Sequence, residues 1–234
     1  MSELVVLSGA EDLTARTVQA VADAIATAVA ERGAAVIAVP GGKSPVPVFH
    51  ALRARDLPWD RVTVTLTDER CVAPDHPASN AGLVRRELLA ERAAAASFLP
   101  LVLTGEDPDA EALAAEARLD AVGDTLDLVW LGMGADGHTA SLFPSARLDA
   151  AADPAGIRRC VALTPESLPP EAPYPRVTLT LTGLTRARTV LITASGAAKR
   201  EALDRALDPG PLREAPVRAV LHQARAPVTV FWSP

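Results

Sequence analysis

Leu126-Asp127-Leu128-Val129-Trp130-Leu131-Gly132-Met133-Gly134-Ala135-Asp136-Gly137-His138-Thr139-Ala140-Ser141-Leu142-Phe143-Pro144 decides the fold of this chain. Its first part is an apolar run that reads as a buried strand ending at Gly132. Three glycines follow, which let the backbone turn sharply and come close to a ligand. Glycine-rich turns at the carboxyl ends of strands are where open α/β sheets place their ligands. Asp136 and His138 stand two residues apart in the turn, where a histidine is placed for proton transfer.

Outward from this segment, strands and helices alternate. Glu11–Arg32 is Ala-rich and helical, closed by Gly33 as C-cap. Residues 34–39 form a short apolar strand, followed by the turn Pro40-Gly41-Gly42-Lys43-Ser44-Pro45 and a helix to Arg53. Residues 61–66 are a β-branched strand that ends in Thr67-Asp68-Glu69-Arg70. Ser79-Asn80 caps a helix reaching about Glu91. A strand is expected over 98–103, a helix over 109–122 and the strand 126–132 before the glycine turn. The second half offers strands at 157–163, 177–181, 189–193 and 228–231, with helices over 197–207 and 217–222. The pattern predicts a three-layer α/β sandwich with a mainly parallel central sheet. Pro165 to Pro175 reads as a surface loop. With no repeat and no linker, residues 1–234 are expected to form one domain.

Composition narrows the partners. Half of the 234 residues are apolar, enough for a core, while only 3% are aromatic, so Ala, Val and Leu must fill it. The net charge of −6 gives no electrostatic footprint for nucleic acid. The apolar stretch 18–29 is interrupted by Asp23, so no membrane span is expected, and the first residues lack a signal-peptide pattern. Cys71 and Cys160 have neither metal nor redox spacing and read as free thiols of a reducing compartment; Cys71 lies beside a charged cluster, which leaves a reactive thiol as the alternative. The expectation is a cytoplasmic protein, a monomer or weak homodimer.

Four segments carry the candidate chemistry. The 40–45 turn leaves backbone N–H groups free at a helix start, a natural phosphate cradle, although the Walker spacing is absent; a plain strand-to-helix turn is the even alternative. Asp68-Glu69-Arg70 is either the start of a solvated loop or the rim of a site. Gly132, Gly134 and Gly137 match Gly-x-Gly-x-x-Gly, but the motif lies past mid-chain and Pro144 breaks the expected helix, which argues against a dinucleotide. Ser195-Gly196-Ala197-Ala198-Lys199 places a lysine in the first turn of a helix. Lys43 and Lys199 are the only lysines of the chain, and both follow glycines after strands. No Gly-x-Ser-x-Gly elbow and no zinc spacing occurs, and His50, His76 and His222 have no evident partner. A hydrolase built from these parts would activate water with a base.

Together these segments resemble the 6-phosphogluconolactonase family, the lactonase branch of a fold shared with glucosamine-6-phosphate deaminases. The likeness runs over nearly the whole chain. It is densest in residues 131–144, in Thr67-Asp68-Glu69-Arg70-Cys71-Val72-Ala73-Pro74 with Ser79-Asn80, in Trp59, and in Gly196 to Lys199. The family's first loop usually reads Ser-Gly-Gly-Ser-Thr-Pro; here Pro40 and Lys43 stand where serines are usual, and Lys43 would supply charge instead. In the deaminase branch a Glu just before the proline assists the histidine, and here that place is Phe143.

The resemblance implies hydrolysis of 6-phospho-D-glucono-1,5-lactone, the second step of the oxidative pentose phosphate pathway. It implies His138 as general base, with Asp68 or Asp136 orienting it and Arg70 stabilising negative charge. Gly41, Gly42, Lys43, Ser44 and Lys199 would hold the 6-phosphate, and no metal or organic cofactor is expected. The deaminase branch is the closest rival; a sugar-phosphate sensor, which in related folds carries a DNA-binding segment, and a dinucleotide-dependent oxidoreductase are the rivals from other classes.

Overall fold

The computed structural model describes residues 2–144, 148–164 and 173–234. Its strands are β1 (Glu3–Val6), β2 (Ala35–Val39), β3 (Val62–Leu66), β4 (Asp68–Arg70), β5 (Ser97–Leu99), β6 (Leu128–Gly132), β7 (Cys160–Leu163), β8 (Arg176–Leu179), β9 (Val190–Ser195) and β10 (Val228–Ser233). Its helices are α1 (Ala10–Arg32), α2 (Val46–Arg53), α3 (Asn80–Glu87), α4 (Pro108–Ala121), α5 (Leu148–Ala151), α6 (Leu181–Thr185), α7 (Ala197–Leu207) and α8 (Arg218–Leu221).

Seven strands make one sheet in the order β1-β10-β9-β6-β2-β3-β5, and every pairing in it is parallel. Parallel strands are buried on both faces and therefore read as continuous apolar runs. Leu128, Val129, Trp130 and Leu131 of β6 are all buried, as are Ile37, Ala38 and Val39 of β2. From β2 the chain steps outward to β3 and β5, then returns through β6 to β9 and β10. The direction of travel thus reverses between the neighbours β2 and β6. Helix α1 packs on α2 and crosses β2, β6, β9 and β10. Trp130 stands edge-on to Phe49 of α2, with ring centroids 5.6 Å apart.

Three further strands form a small antiparallel sheet, β4-β8-β7, backed by α4. Thr67 joins the two sheets: its N–H donates to the carbonyl of Val39 at 3.0 Å, and its own carbonyl accepts from Leu179 at 2.9 Å.

Several elements differ from the sequence expectation. Residues 68–70 are a strand of the second sheet, where a loop was expected. β5 stops at Leu99 because Pro100 has no N–H for the ladder; beyond it, Glu111 accepts from the N–H groups of Leu103, Thr104 and Gly105. α3 ends at Glu87, and Glu91 has a left-handed φ of 53°. The expected strand to Leu181 turns at Thr180, whose hydroxyl accepts from Gly183 and caps α6. The strand expected from Ile157 starts at Cys160, because the N–H groups of Arg159 and Cys160 bond to Glu116. The proline-rich stretch lies outside the described residues as far as residue 172. β1 and α5 were not anticipated.

The histidines read as unpartnered are partnered. His50 meets Glu87 at 2.8 Å, His76 accepts from the N–H of Ala78 at 3.0 Å, and His222 meets the carbonyl of Ala206 at 2.9 Å. Both cysteines are free and buried. Burial, reinforced by Glu111, Asp107 and Glu69, pushes the Cys71 thiol up to about 11, so the charged neighbours quench it rather than activate it. Among the described residues no helix is long and apolar enough to cross a membrane.

At the amino end of the central strands, the buried Asp127 carboxylate accepts from the N–H of Val36 at 2.7 Å and from Arg32 Nη2 at 2.8 Å, with Arg188 3.4 Å away. It ties the end of α1 and the start of β2 to β6. Asp127→Ala leaves these donors uncompensated, and a loss of roughly 2–4 kcal/mol is expected. Urea denaturation measures it; an unchanged midpoint would show that solvent replaces the carboxylate.

Candidate active site

The carboxyl ends of β2, β3, β6 and β9 converge where the strand order reverses, which is where open α/β sheets form a crevice. The crevice here is a cleft of about 280 Å³. Its walls bring together Gly41, Gly42 and Ser44 after β2, Asp68 and Arg70 on β4, His138 after β6 and Lys199 on α7. Two predicted residues are not on the wall. Lys43 is exposed, and Asp136 stands behind His138.

The first loop is shaped by close approach. Gly41 lies directly against Asn80: a Cβ there would fall 2.0 Å from the carboxamide carbon. Gly42 adopts a φ of +81°, a conformation open to glycine. Asn80 is 2% exposed; its Nδ2 donates to the Asp68 carbonyl at 3.0 Å, and its buried Oδ1 has no partner among the described residues.

Opposite the loop, Gly196 (φ +86°) opens α7 and puts Lys199 in its first turn. Lys199 has no hydrogen-bond or ion-pair partner among the described residues, and burial holds its ammonium below the ordinary lysine range. An anion at the mouth of α7 would meet both this charge and the helix N-terminus.

The strand alternation of β4 sorts its three charges. Asp68 and Arg70 turn to the cleft, whereas Glu69 points away and is 1% exposed. The Glu69 carboxylate accepts from the N–H groups of Asn80 at 2.8 Å and Ala81 at 2.6 Å and from Ser79 Oγ at 3.1 Å, so it anchors the start of α3. Burial raises its pKa, against the pull of the amide donors of Asn80, Ala81 and Arg70. Arg70 is aimed by a bond from Nη1 to the Ala78 carbonyl at 2.6 Å. Asp68 Oδ2 accepts from Ser141 Oγ at 2.5 Å.

In the glycine turn, His138 Nδ1 lies 2.6 Å from Asp136 Oδ1, which also accepts from the His138 N–H at 3.1 Å. Burial pushes the Asp136 carboxyl up, but the hydrogen bond and charge of His138 outweigh it and hold it below the usual range. Of the two carboxylates weighed from sequence, Asp136 is therefore the one bonded to His138, and Asp68 is bonded to Ser141. With Nδ1 engaged, Nε2 is the ring nitrogen left for other chemistry. A Cβ on Gly134 would fall 2.3 Å from Nδ1, and one on Gly137 (φ +78°) would fall 2.9 Å from Ala215. Both glycines are required by contact.

Sequence reasoning missed Asn80 as a wall of the cleft, Ser141, and the buried Arg176, which pairs across from Arg70 in the β4–β8 ladder. Arg176 is 2% exposed and bonds to the Tyr174 carbonyl at 2.8 Å; burial lowers its pKa, and the Asp68 charge opposes that. A lone arginine opening the run Arg176-Val177-Thr178-Leu179 was the available signal. Among the described residues no three His, Cys, Asp or Glu side chains converge as a metal-ligand set.

Comparisons with known proteins place the chain in a family and a fold. Residues 8–232 match the family model described as glucosamine-6-phosphate isomerases/6-phosphogluconolactonase. A 6-phosphogluconolactonase of Mesorhizobium japonicum is 46% identical over 215 residues, covering 92% of this chain and 88% of the relative. One from Rhizobium meliloti is 42% identical, covering 90% and 89%. The crystal structure of a 6-phosphogluconolactonase from Shewanella baltica superposes with a TM-score of 0.93 at 34% identity, covering 100% of this chain and 98% of that one. A monomeric glucosamine-6-phosphate deaminase, at 20% identity and a TM-score of 0.79, shares the fold. The chain belongs to the glucosamine-6-phosphate isomerase/6-phosphogluconolactonase family.

Proposed function

We infer that this enzyme is a 6-phosphogluconolactonase, hydrolysing 6-phospho-D-glucono-1,5-lactone to 6-phosphogluconate in the oxidative pentose phosphate pathway. One observation carries the reading: the cleft sets a carboxylate-oriented histidine and a half-buried lysine, without a partner among the described residues, on the same walls. The relatives, named as 6-phosphogluconolactonases, support the substrate class.

A lactone is an activated ester and needs no covalent nucleophile. It needs a held substrate, an activated water and a partner for the developing oxyanion. His138 Nε2 takes a proton from water as the water oxygen bonds to C1. The carbonyl pair moves onto its oxygen, where Arg70 offsets the charge. As the carbonyl reforms, the bond from C1 to the ring oxygen breaks, and the histidine returns its proton to that oxygen. Asp136 keeps the ring oriented and stabilises the transient imidazolium. Asp68, fixed by Ser141, faces the substrate. The 6-phosphate is held by the amides of Gly41 and Gly42, by Ser44 and by Lys199, with Lys43 adding charge from outside the wall. This route uses no metal or organic cofactor. Residues 1–234 act as one domain.

The defining test supplies fresh lactone from glucose-6-phosphate dehydrogenase and follows proton release above the spontaneous rate. Acceleration is expected; its absence with folded protein, together with deamination of glucosamine 6-phosphate, would move the chain to the other branch of the family. His138→Ala should lower kcat by about 10²–10⁴-fold without unfolding, and full activity would remove the histidine as base. Lys199→Ala should raise KM at least about tenfold and leave kcat nearly unchanged, since it removes a binding contact made equally in the ground and transition states.

The lowered pKa of Lys199 gives a sign for pH dependence. Phosphate is bound by the protonated form, so affinity is full below the lysine pKa and is lost as pH rises through it. Burial moves that loss to lower pH than an exposed lysine would show. Calorimetric titration with 6-phosphogluconate should therefore show affinity falling on the alkaline side, and Lys199→Arg should abolish the fall because guanidinium stays charged. An identical alkaline profile in the arginine variant would assign the loss to another group.

A further inference from the structure

We propose that Phe143 is a positioning residue for the reaction, holding the His138 imidazole so that Nε2 stays presented to the cleft. This rests on the reading of His138 as base. The Phe143 and His138 ring centroids are 4.6 Å apart with the planes at 39°, a tilted contact rather than an edge contact. The Asp136 bond alone does not immobilise the ring. It acts at one atom on one edge of the ring, through a carboxylate that is 51% exposed and is itself held by the His138 N–H. The Gly134 backbone closes on the Nδ1 and Cε1 side, where a Cβ would lie 2.3 and 2.4 Å from those atoms. Phe143 supplies the remaining contact.

The turn between the two residues is built to bring the ring back. Thr139 Oγ1 donates to the Gly132 carbonyl at 2.8 Å, and the Leu142 N–H donates to the Thr139 carbonyl at 2.9 Å. Ala140 takes a left-handed φ of 48°, a cost for a residue with a Cβ that persists because its neighbours are fixed on both sides. Ser141 is fully buried; its Oγ holds Asp68, and its N–H donates to Thr178 Oγ1 at 3.2 Å. Leu142 is fully buried as well. Three consecutive residues after Thr139 are thus strained or pinned, and the fourth lies on the histidine.

The test uses Phe143→Leu, Phe143→Tyr, Asp136→Ala and the double variant Asp136→Ala/Phe143→Leu. The expectation is a fall in kcat of about tenfold for Phe143→Leu at unchanged KM, as for a small misplacement of a catalytic group. Phe143→Tyr should restore it, because the aromatic face is kept. The losses of Asp136→Ala and Phe143→Leu should combine less than multiplicatively, since both act on one ring. An activity-free readout is the long-range ¹H–¹⁵N spectrum of the histidine side chains, of which the chain has four. In Phe143→Leu the His138 ring signals should lose their aromatic shift and broaden, with the other three unmoved. Wild-type kcat with unmoved His138 signals would overturn the proposal, as would parallel changes in kcat and KM that tyrosine does not rescue. If His138→Ala is itself fully active, the base assignment fails, and the spectrum still decides whether Phe143 holds the ring.

Discussion

The reversal of strand order between β2 and β6 is the constraint on which the rest of the structure depends. Two parallel neighbours whose onward connections leave in opposite directions cannot both have their carboxyl ends covered by the same crossover. The uncovered space lies between the loop after Val39 and the turn after Gly132. Both segments are glycine-rich because both run close to other groups: Gly41 against the Asn80 carboxamide, Gly134 against the His138 ring. The apolar strands beneath, with Trp130 buried and bonded through Nε1 to Thr193 Oγ1 at 2.9 Å, make a stiff floor for this space.

The small antiparallel sheet adds what the large one lacks. A parallel strand that ended at Leu66 would deliver one loop to the cleft. Here Thr67 bonds to both sheets, and the chain continues as β4, so that Asp68 and Arg70 are delivered on a paired strand rather than a free loop. Strand-borne groups are held more closely than loop-borne ones. Glu69, on the opposite side of the same strand, caps the start of α3 and so sets the position of Asn80, which in turn shapes the Gly41 loop. The fixed order Asp-Glu-Arg thus serves two faces: the outer residues look into the cleft, and the middle one ties the cleft to the helix behind it.

Much of this was legible in the sequence, for identifiable reasons. β2, β6 and β9 are apolar runs that end in glycine turns and β3 is a β-branched run, so all four were located to within a residue or two, and the glycine turns after β2, β6 and β9 marked the crevice. What could not be read depends on contacts between distant segments. Nothing local distinguishes Asp68-Glu69-Arg70 as a strand, because its partner β8 lies more than a hundred residues away. The choice between Asp68 and Asp136 as the partner of His138 also needed coordinates, because Ser141 competes for one of them. Lys43 and Lys199 looked equivalent by their glycine settings, yet the helix of α7 turns one into the cleft while the loop leaves the other in solvent. His50 and His222 found partners in segments far along the chain, Glu87 and the Ala206 carbonyl.

On the proposed function, the two ends of the cleft face different physical demands, and different devices stand at each. Holding an anion calls for donors that stay charged and unpaired until the ligand arrives; Lys199 has no partner among the described residues, and desolvation is the cost it carries. Moving a proton calls for the reverse, a group whose every degree of freedom is already used. His138 has its Nδ1 engaged by Asp136, its flank closed by Gly134 and its ring against Phe143, beyond a turn locked by Ser141 and Leu142. An ester that hydrolyses slowly in water without help gains most from alignment, since the chemistry itself asks for little more than a well-placed base and a counter-charge. Read with the proposed roles, the density of fixed contacts around His138, against the openness around Lys199, is what such a division of labour asks for.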